Sequence, residues 1–305
     1  MKILCATDLL PKSEAAIDRA GRLAEHLGAE LTLLHAVALT ESDQMLEQDL
    51  RRASAELKFR AGLALWRHGP RPNVLVRAGN PTRVLVETMK ELEPDLIVLG
   101  RHRQRPARDS LTGTMAARVL SERKCPVLIV GRMLWGAYRD VVLALDRTKD
   151  SAEVVRAAEV LVLKNGVRAS IVHAYQPPYE GILTSVGVAS AAVSGYSESW
   201  SDDASSALRA LLMKVSNDFS RYGLVIEHAT PAAAIQKVVN RLDPDLLVLG
   251  TRGRGRLGRA LLGSVASRVI ATARCDVLVV PDRTVSAASR HERVDRRSPD
   301  VVTGV

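Results

Sequence analysis

The sequence predicts an α/β protein built from two similar tandem domains, each with a mainly parallel sheet covered by helices on both faces. The segment EPDLIVLG, which ends at Gly100, returns 150 residues later as DPDLLVLG, which ends at Gly250. Each half alternates short apolar segments with longer segments of helical periodicity, which is typical of parallel sheets. Aromatic residues make up only 3% of the chain, so the core must consist of aliphatic side chains, as buried parallel sheets usually do.

The first copy follows a strand–helix order that the second copy repeats. Its predicted strands are residues 2–7, 30–37, 73–77, 96–99 and 127–130. Its predicted helices are residues 13–27, 42–68, 81–93 and 114–121. Gly28 ends the first helix, as a glycine after the last helical turn often does. In such sheets ligands bind outside the carboxyl ends of the strands, so the residues after strands one and four are the candidates for a site.

The spacing between the copies reveals an insertion in the second one. Gly113 and Gly263 are 150 residues apart, whereas Asp8 and Asp146 are 138 apart. The second copy therefore carries 12 additional residues after its second strand. The segment 176–203, rich in Ser, Ala and Gly, contains them. A mobile flap and a partner-binding segment are both open interpretations of it.

The repeat also predicts the domain boundaries. We expect a first domain at residues 1–133 and a second at 138–283. The remaining residues, 284–305, are polar and mixed in charge, and we expect them to be a disordered tail.

Charge and cysteine content limit the partners and the compartment. The net charge of +9 raises the question of a nucleic-acid partner, but the positive charge is dispersed and no nucleic-acid motif accompanies it, so this partner is not favoured. Three cysteines without a CxxC pair argue against a disulfide scaffold and fit the cytoplasm. A run of about 20 apolar residues is missing, and the short apolar N-terminus does not resemble a signal peptide, so neither a membrane span nor export is expected.

The loop after the fourth strand of the second copy has the chemistry of a phosphate site. It begins Gly250-Thr251-Arg252-Gly253 and, nine residues later, reaches Gly263-Ser264 at the start of a predicted helix. Glycines allow close backbone approach, and the N–H groups of a helix N-terminus attract anions. The Ser264 hydroxyl could cap the helix or donate to a phosphate oxygen, and Arg252 could neutralise phosphate charge.

This loop resembles the G-x2-G-x9-G-[ST] pattern by which universal stress proteins bind ATP. Other residues agree with that family: Asp146 follows the first strand of the second copy, and His173-Ala174 ends its second strand. The resemblance extends over about residues 1–282. It implies two Rossmann-like domains of the adenine nucleotide alpha hydrolase type, with ATP as the ligand and Mg²⁺ as a further candidate. The residues that it implies for adenine, ribose and phosphate contacts are Asp146, Ala174, Gly250, Gly253, Gly263 and Ser264, with Arg252 and Val265 as neighbours.

The first copy departs from the pattern. Arg103 stands where the second glycine is required, so a side chain replaces bare backbone. The residues that this copy retains are Asp8, Gly100, Gly113 and Thr114. We expect at most a weakened nucleotide site here.

The resemblance also implies how the chain assembles. Family members pair through their fifth strands, so the two copies are expected to form an internal pseudo-dimer through Val127–Val130 and Val277–Val280. A homodimer of the whole chain is a further expectation, whereas the sequence identifies no protein partner.

Several other interpretations of the same residues remain open. The stretch 253–258 also spells G-x-G-x-x-G, a dinucleotide fingerprint, although it begins beyond the strand rather than at the first strand–helix turn. The glycines could serve tight turns with positive φ, and the two aspartates could cap the following helices. The expected function is ATP binding with a regulatory role in the stress response. The alternatives are a nucleotide-independent dimerisation module and, because no general base is evident, at most a slow ATPase.

Overall fold

The strands form one continuous sheet in the computed structural model. The model describes residues 1–63, 71–101, 115–122, 124–131, 136–148, 150–163, 166–251 and 262–281. The strands in these ranges are Lys2–Thr7 (β1), Glu30–Val37 (β2), Asn73–Ala78 (β3), Leu96–Gly100 (β4), Val127–Val130 (β5), Asp140–Ala144 (β6), Arg168–Tyr175 (β7), Tyr222–His228 (β8), Leu246–Gly250 (β9) and Asp276–Val280 (β10). The predicted tail, 284–305, and the loop residues Arg252, Gly253, Gly113 and Thr114 lie outside the described residues.

The order of the strands is β3-β2-β1-β4-β5-β10-β9-β6-β7-β8. Within each half the neighbouring strands are parallel, whereas β5 and β10 run antiparallel in the middle of the sheet, with Leu128 opposite Leu278. The predicted pairing of the two fifth strands is therefore confirmed, and it joins two parallel five-stranded sheets into one. We call residues 1–131 the first half and residues 136–281 the second half.

Helices cover both faces of the sheet. They are Glu14–Leu27 (α1), Asp43–Leu63 (α2), Pro81–Leu92 (α3), Met115–Ser121 (α4), Asp150–Leu161 (α5), Glu180–Ser185 (α6), Ser190–Val215 (α7), Pro231–Leu242 (α8) and Ser264–Thr272 (α9). Buried residues of α1, α2, α5 and α7 form one apolar core, and those of α3, α4, α8 and α9 form the other. Side chains alternate across each strand, so one strand supplies both cores.

Local sequence explains where the helices begin and end. Gly28 adopts the left-handed conformation, with φ of 60°, and its N–H donates to the carbonyls of the last turn of α1, as predicted. Asn80 caps α3, because its side-chain oxygen accepts hydrogen bonds from the N–H groups of Thr82 and Arg83. Pro81 then fills the first helical position, where no N–H partner is needed.

The insertion is largely helical. The segment 176–203 contains α6 and the first half of α7. On α7, Ala204, Leu208 and Leu212 are buried, and their spacing of four residues places them on one side of the helix. A composition rich in Ser, Ala and Gly does not by itself exclude a helix, because alanine is a strong helix former. The four-residue spacing of the buried side chains is the signal that indicates one.

A buried polar cluster lies at the seam between the halves. Asp276, the first residue of β10, accepts hydrogen bonds of 2.8 Å from the Tyr138 hydroxyl and from the Gly131 N–H. Arg19 of α1 lies over the Tyr138 ring, 4.3 Å from its centroid, and donates to the Gly136 carbonyl. Burial and the Asp276 carboxylate raise the pKa of Tyr138 well above its usual value, so the phenol stays protonated and donates.

Candidate functional site

A cavity of about 480 Å³ opens at the carboxyl ends of the second-half strands. It lies where β6, β7 and β9 end and where α5 and α9 begin, which is the edge of a parallel sheet at which ligands bind. We call this cavity the second-half cleft. The predicted site residues that line it are Asp146, Ala174, Gly250, Gly263, Ser264 and Val265. Every predicted second-half residue that the structure describes is thus brought to one place.

Asp146 presents one used and one unused carboxylate oxygen. Oδ1 accepts hydrogen bonds from the Thr148 N–H at 2.9 Å and from the Ser151 hydroxyl at 2.9 Å. Oδ2 is buried and has no hydrogen-bond partner among the described residues. The interpretation of Asp146 as a simple helix cap is therefore incomplete, because one oxygen holds the turn before α5 while the other stays unused in a residue that lines the cleft.

Thr251 repeats this arrangement at the other side of the cleft. Its side chain is 4% exposed and lines the cleft, and its hydroxyl has no hydrogen-bond partner within the described part of the chain. Its carbonyl accepts a 2.9 Å hydrogen bond from the Gly263 N–H, which joins the end of β9 to the start of α9. Sequence reasoning missed Thr251, although it stands directly after Gly250 in the predicted loop.

The N-terminus of α9 forms the wall beside Thr251. The helix begins at Ser264 with Gly263 as its N-cap, and no side chain caps its first N–H groups among the described residues. Of the two roles left open for the Ser264 hydroxyl, capping of the helix does not occur, because Ser264 is already the first helical residue. Gly263 has φ of −58° and needs no left-handed conformation, so a tight turn of that kind does not explain this glycine.

The cleft also has apolar lining on both faces of the sheet. Leu145 and Val154 belong to the core that contains α5 and α7, whereas Val172, Ala174 and Ile235 belong to the core that contains α8 and α9. The backbone before Asp146 is fixed by His173, whose Nδ1 donates to the Leu145 carbonyl at 2.8 Å. In the first half, the equivalent His35 contacts the Thr7 carbonyl at 2.9 Å. The two histidines are therefore strand-end residues that hold the turn, as their symmetry suggests.

The insertion contributes residues to the cleft that sequence reasoning did not assign. Gln176 and Trp200 of the segment 176–203 line it, together with the flanking residues Tyr175 and Ala204. The insertion contacts the second half through His228, whose Nε2 lies 2.8 Å from the Glu180 carboxylate. The helical periodicity of α7 could have identified Trp200 as a residue on the inner side of the helix, because Trp200 lies one turn before the buried Ala204.

In the first half, Asp8, which matches Asp146, uses both of its carboxylate oxygens. Asp8 accepts hydrogen bonds from the Leu10 N–H and the Ser13 hydroxyl through Oδ1, and its Oδ2 lies 3.6 Å from the Lys12 ammonium. Partial burial raises the pKa of Asp8, but these hydrogen bonds and the Lys12 charge outweigh it and hold the pKa below its usual value. β4 ends at Gly100, one residue beyond the predicted strand. The next residue, Arg101, stands where the second half has Thr251.

Arg101 is turned away into the seam. Its guanidinium donates to the carbonyls of Ala273 and Cys275, at the end of α9 and just before β10. Burial lowers the pKa of Arg101, and the neighbouring Asp276 carboxylate opposes this effect. The position that lines the cleft as Thr251 in the second half is therefore occupied in the first half by an arginine that contacts the other half.

The sequence of the whole chain matches a known family twice. A model of the universal stress protein family matches residues 1–131 and again residues 137–281. The chain therefore belongs to the universal stress protein family, and it contains two universal stress protein domains.

Relatives and solved structures agree with this membership. A universal stress protein of Mycolicibacterium smegmatis is 24% identical over 301 residues, which cover 92% of this chain and 97% of the relative. One from Thermus aquaticus is 27% identical over 150 residues and covers 47% of this chain and 98% of the relative. The crystal structure of a universal stress protein from Archaeoglobus fulgidus shares the fold, with a TM-score of 0.64, 20% identity, and coverage of 92% of this chain and 96% of that one.

Two further features bear on the kind of site. Within the described ranges, three or more metal-ligating side chains do not converge at any point. None of the helices that the structure describes is both long enough and apolar enough to cross a membrane.

Proposed function

We propose that this universal stress protein binds ATP in the second-half cleft and acts as a nucleotide-responsive regulator in the stress response. The observation that carries the proposal is the pair of buried, unpartnered polar atoms, Asp146 Oδ2 and Thr251 Oγ1, in residues that line one cavity. A buried polar atom without a partner costs about 1–3 kcal/mol, so two such atoms in residues that line one cleft favour a ligand that supplies the missing hydrogen bonds.

The two ends of the cleft suit the two ends of a nucleotide. The uncapped N–H groups of α9 and the Thr251 hydroxyl suit phosphate oxygens, because a helix N-terminus attracts anions. The aliphatic side chains of Leu145 and Val154, in the core on the face away from α9, suit the face of an adenine ring, and the Asp146 carboxylate would accept a hydrogen bond from a ribose hydroxyl. Family membership supports the same assignment, and Arg252 and Gly253 complete the loop in sequence.

The proposal assigns one working site to each chain. In the first half the Asp8 carboxylate is paired with Lys12, and Arg101 is engaged with the second half. Mg²⁺ would accompany the phosphates, held mostly by phosphate oxygens and water, as is usual for this ion. The three free cysteines, Cys5, Cys125 and Cys275, are all buried, which fits the reducing cytoplasm as the compartment.

The matched pair Asp146→Asn and Asp8→Asn tests the site. Both substitutions remove one carboxylate at equivalent positions. In Asp146→Asn the amide keeps an oxygen for the bonds to Thr148 and Ser151 but presents a donor in place of the unused acceptor. Calorimetric titration with MgATP should show binding to the wild type, affinity about tenfold lower or worse for Asp146→Asn, and unchanged affinity for Asp8→Asn. Absence of binding by the wild type, or equal affinity in Asp146→Asn, would overturn the proposal.

A second variant tests the phosphate end independently. Gly253→Arg copies the residue that the first half carries at Arg103, and Arg103→Gly makes the reverse change. We expect Gly253→Arg to lose MgATP affinity while its thermal unfolding without nucleotide stays unchanged. Unaltered affinity in Gly253→Arg would contradict the assignment of phosphate binding to this loop.

A further inference from the structure

Trp200 continues the buried stripe of α7 out of the core and over the cleft. Positions 200, 204, 208 and 212 are four residues apart, and the last three are buried alanine and leucine residues. Trp200 itself is only partly exposed and lines the cleft. The Trp200 side chain therefore extends the inner side of α7 from the core to the cleft.

Two neighbours hold the indole of Trp200. Tyr196 meets it edge to face, with ring centroids 6.3 Å apart and planes at 76°. The Tyr196 hydroxyl donates a 2.6 Å hydrogen bond to the Pro178 carbonyl, which ties α7 to the segment after β7. The Arg147 guanidinium carbon lies 5.7 Å from the indole centroid, within the range of a cation–π contact. An aromatic side chain held in this way is a preformed platform.

The platform lies away from the phosphate end. Helix α7 packs on α5, β7 and β8, whereas α9 covers the opposite face of the sheet. In the strand order, β6 separates β7 from β9, whose end carries Thr251. A nucleotide with its phosphates at α9 would therefore direct its base toward β7 and α7.

We propose that Trp200 stacks on the nucleobase of the bound nucleotide and makes the second-half cleft select nucleotides over free polyphosphate. This inference rests on the proposed function. It assigns the insertion a role as a base-recognition element. In the first half, the only aromatic residue of α2 is Phe59, and its side chain is exposed to solvent. Stacking recognises the π-face of the base, so its loss affects nucleotides and not the phosphate chain alone.

Two ligands and three variants test the inference. MgATP and magnesium tripolyphosphate are titrated into the wild type, Trp200→Ala and Trp200→Phe, with Met213→Ala on the exposed side of α7 as the control. We expect Trp200→Ala to weaken ATP binding about tenfold, tripolyphosphate binding to stay within about twofold, and Trp200→Phe to retain most of the affinity. Met213→Ala should match the wild type for both ligands.

The outcomes separate this inference from the proposed function. If the wild type binds neither ligand, the proposed function fails and this inference fails with it. If the wild type binds ATP and Trp200→Ala binds it equally well, only the role of Trp200 is wrong. Equal weakening of ATP and tripolyphosphate in Trp200→Ala would also overturn it, because a structural defect would affect both.

Fluorescence provides a second readout that does not depend on an affinity change. The other two tryptophans, Trp66 and Trp135, are replaced by phenylalanine so that Trp200 is the sole emitter. Saturating MgATP should quench its emission, whereas saturating tripolyphosphate should not. Unchanged emission on ATP binding would contradict direct contact between the indole and the base.

Discussion

The Asp276 carboxylate and the Arg19 guanidinium form an ion pair across the seam, with Oδ2 3.5 Å from Nε and both side chains almost completely buried. The pair joins the last strand of the chain to its first helix. Neither residue has a charged counterpart in the other half, because the matching positions are Pro126 and Ala157. The interface between the two repeats is therefore asymmetric. It contains this buried charged cluster once, whereas a symmetric dimer would contain it twice.

Removal of this carboxylate should destabilise the protein strongly. Asp276→Ala leaves Arg19 buried without its counter-ion and leaves the Tyr138 hydroxyl without its acceptor. We expect a loss of about 3–5 kcal/mol in the free energy of unfolding, measured by urea denaturation. Glu47→Gln is the control, because the Arg51–Glu47 pair is highly exposed and its loss should change stability little. A similar small effect for both variants would show that the seam does not hold the halves together.

The free energy of unfolding should fall at alkaline pH because of buried thiols. Burial raises the pKa of Cys5 from 9.0 to about 12, so the unfolded chain releases this proton at lower pH than the folded chain does. The stabilisation is complete below about pH 9 and is lost as the pH rises toward 12, by about 1.4 kcal/mol per pH unit for one thiol. Urea denaturation between pH 7 and pH 10.5 should show a smaller slope in Cys5→Ala than in the wild type. Identical slopes would mean that the pKa of Cys5 is the same in the folded and the unfolded chain.

Two equivalent helix starts should respond differently to alanine. Asn80 caps α3 through two hydrogen bonds, whereas Thr230, at the matching position before α8, makes no side-chain cap bond. Asn80→Ala should therefore cost about 1 kcal/mol of stability, and Thr230→Ala should cost much less. The comparison needs only thermal unfolding midpoints of the two variants. Equal losses would indicate that the cap bonds contribute nothing beyond propensity.

Much of this architecture follows from the sequence alone. The repeat of EPDLIVLG as DPDLLVLG places β4 and β9 in equivalent positions, and alternating apolar segments predict the remaining strands. The antiparallel pairing of β5 with β10 agrees with the expected contact between the fifth strands. Local patterns suffice for central strands such as β4 and β9, which are buried on both faces, and for helices such as α1 and α8, which bury one apolar side.

The features that sequence reasoning missed depend on three-dimensional contacts. Thr251 is an ordinary loop residue until the fold buries its hydroxyl in a cavity. Trp200 lies in a segment whose composition conceals its helix, and Asp276 becomes a seam residue only when β10 meets Tyr138 and Arg19. Contacts between residues more than 100 positions apart leave no periodic signal in a single sequence.

Replacement of Thr251 by valine should raise stability and lower affinity together. Valine has the shape of threonine without its hydroxyl, so Thr251→Val removes an unpartnered buried polar group. We expect the unliganded protein to gain about 1 kcal/mol and MgATP to bind more weakly, as at sites where function opposes stability. Thermal unfolding with and without MgATP measures both effects. A less stable Thr251→Val without nucleotide would show that the hydroxyl is already paired.

The most direct test of a single nucleotide site is the nucleotide content of the purified chain. Mass spectrometry of the small molecules released on denaturation, with the amount expressed per chain, compares the wild type with Asp146→Asn. We expect about one adenine nucleotide per wild-type chain, or one after saturation with MgATP, and far less in the variant. Two nucleotides per chain, or none together with no thermal shift in MgATP, would contradict a single site in the second-half cleft.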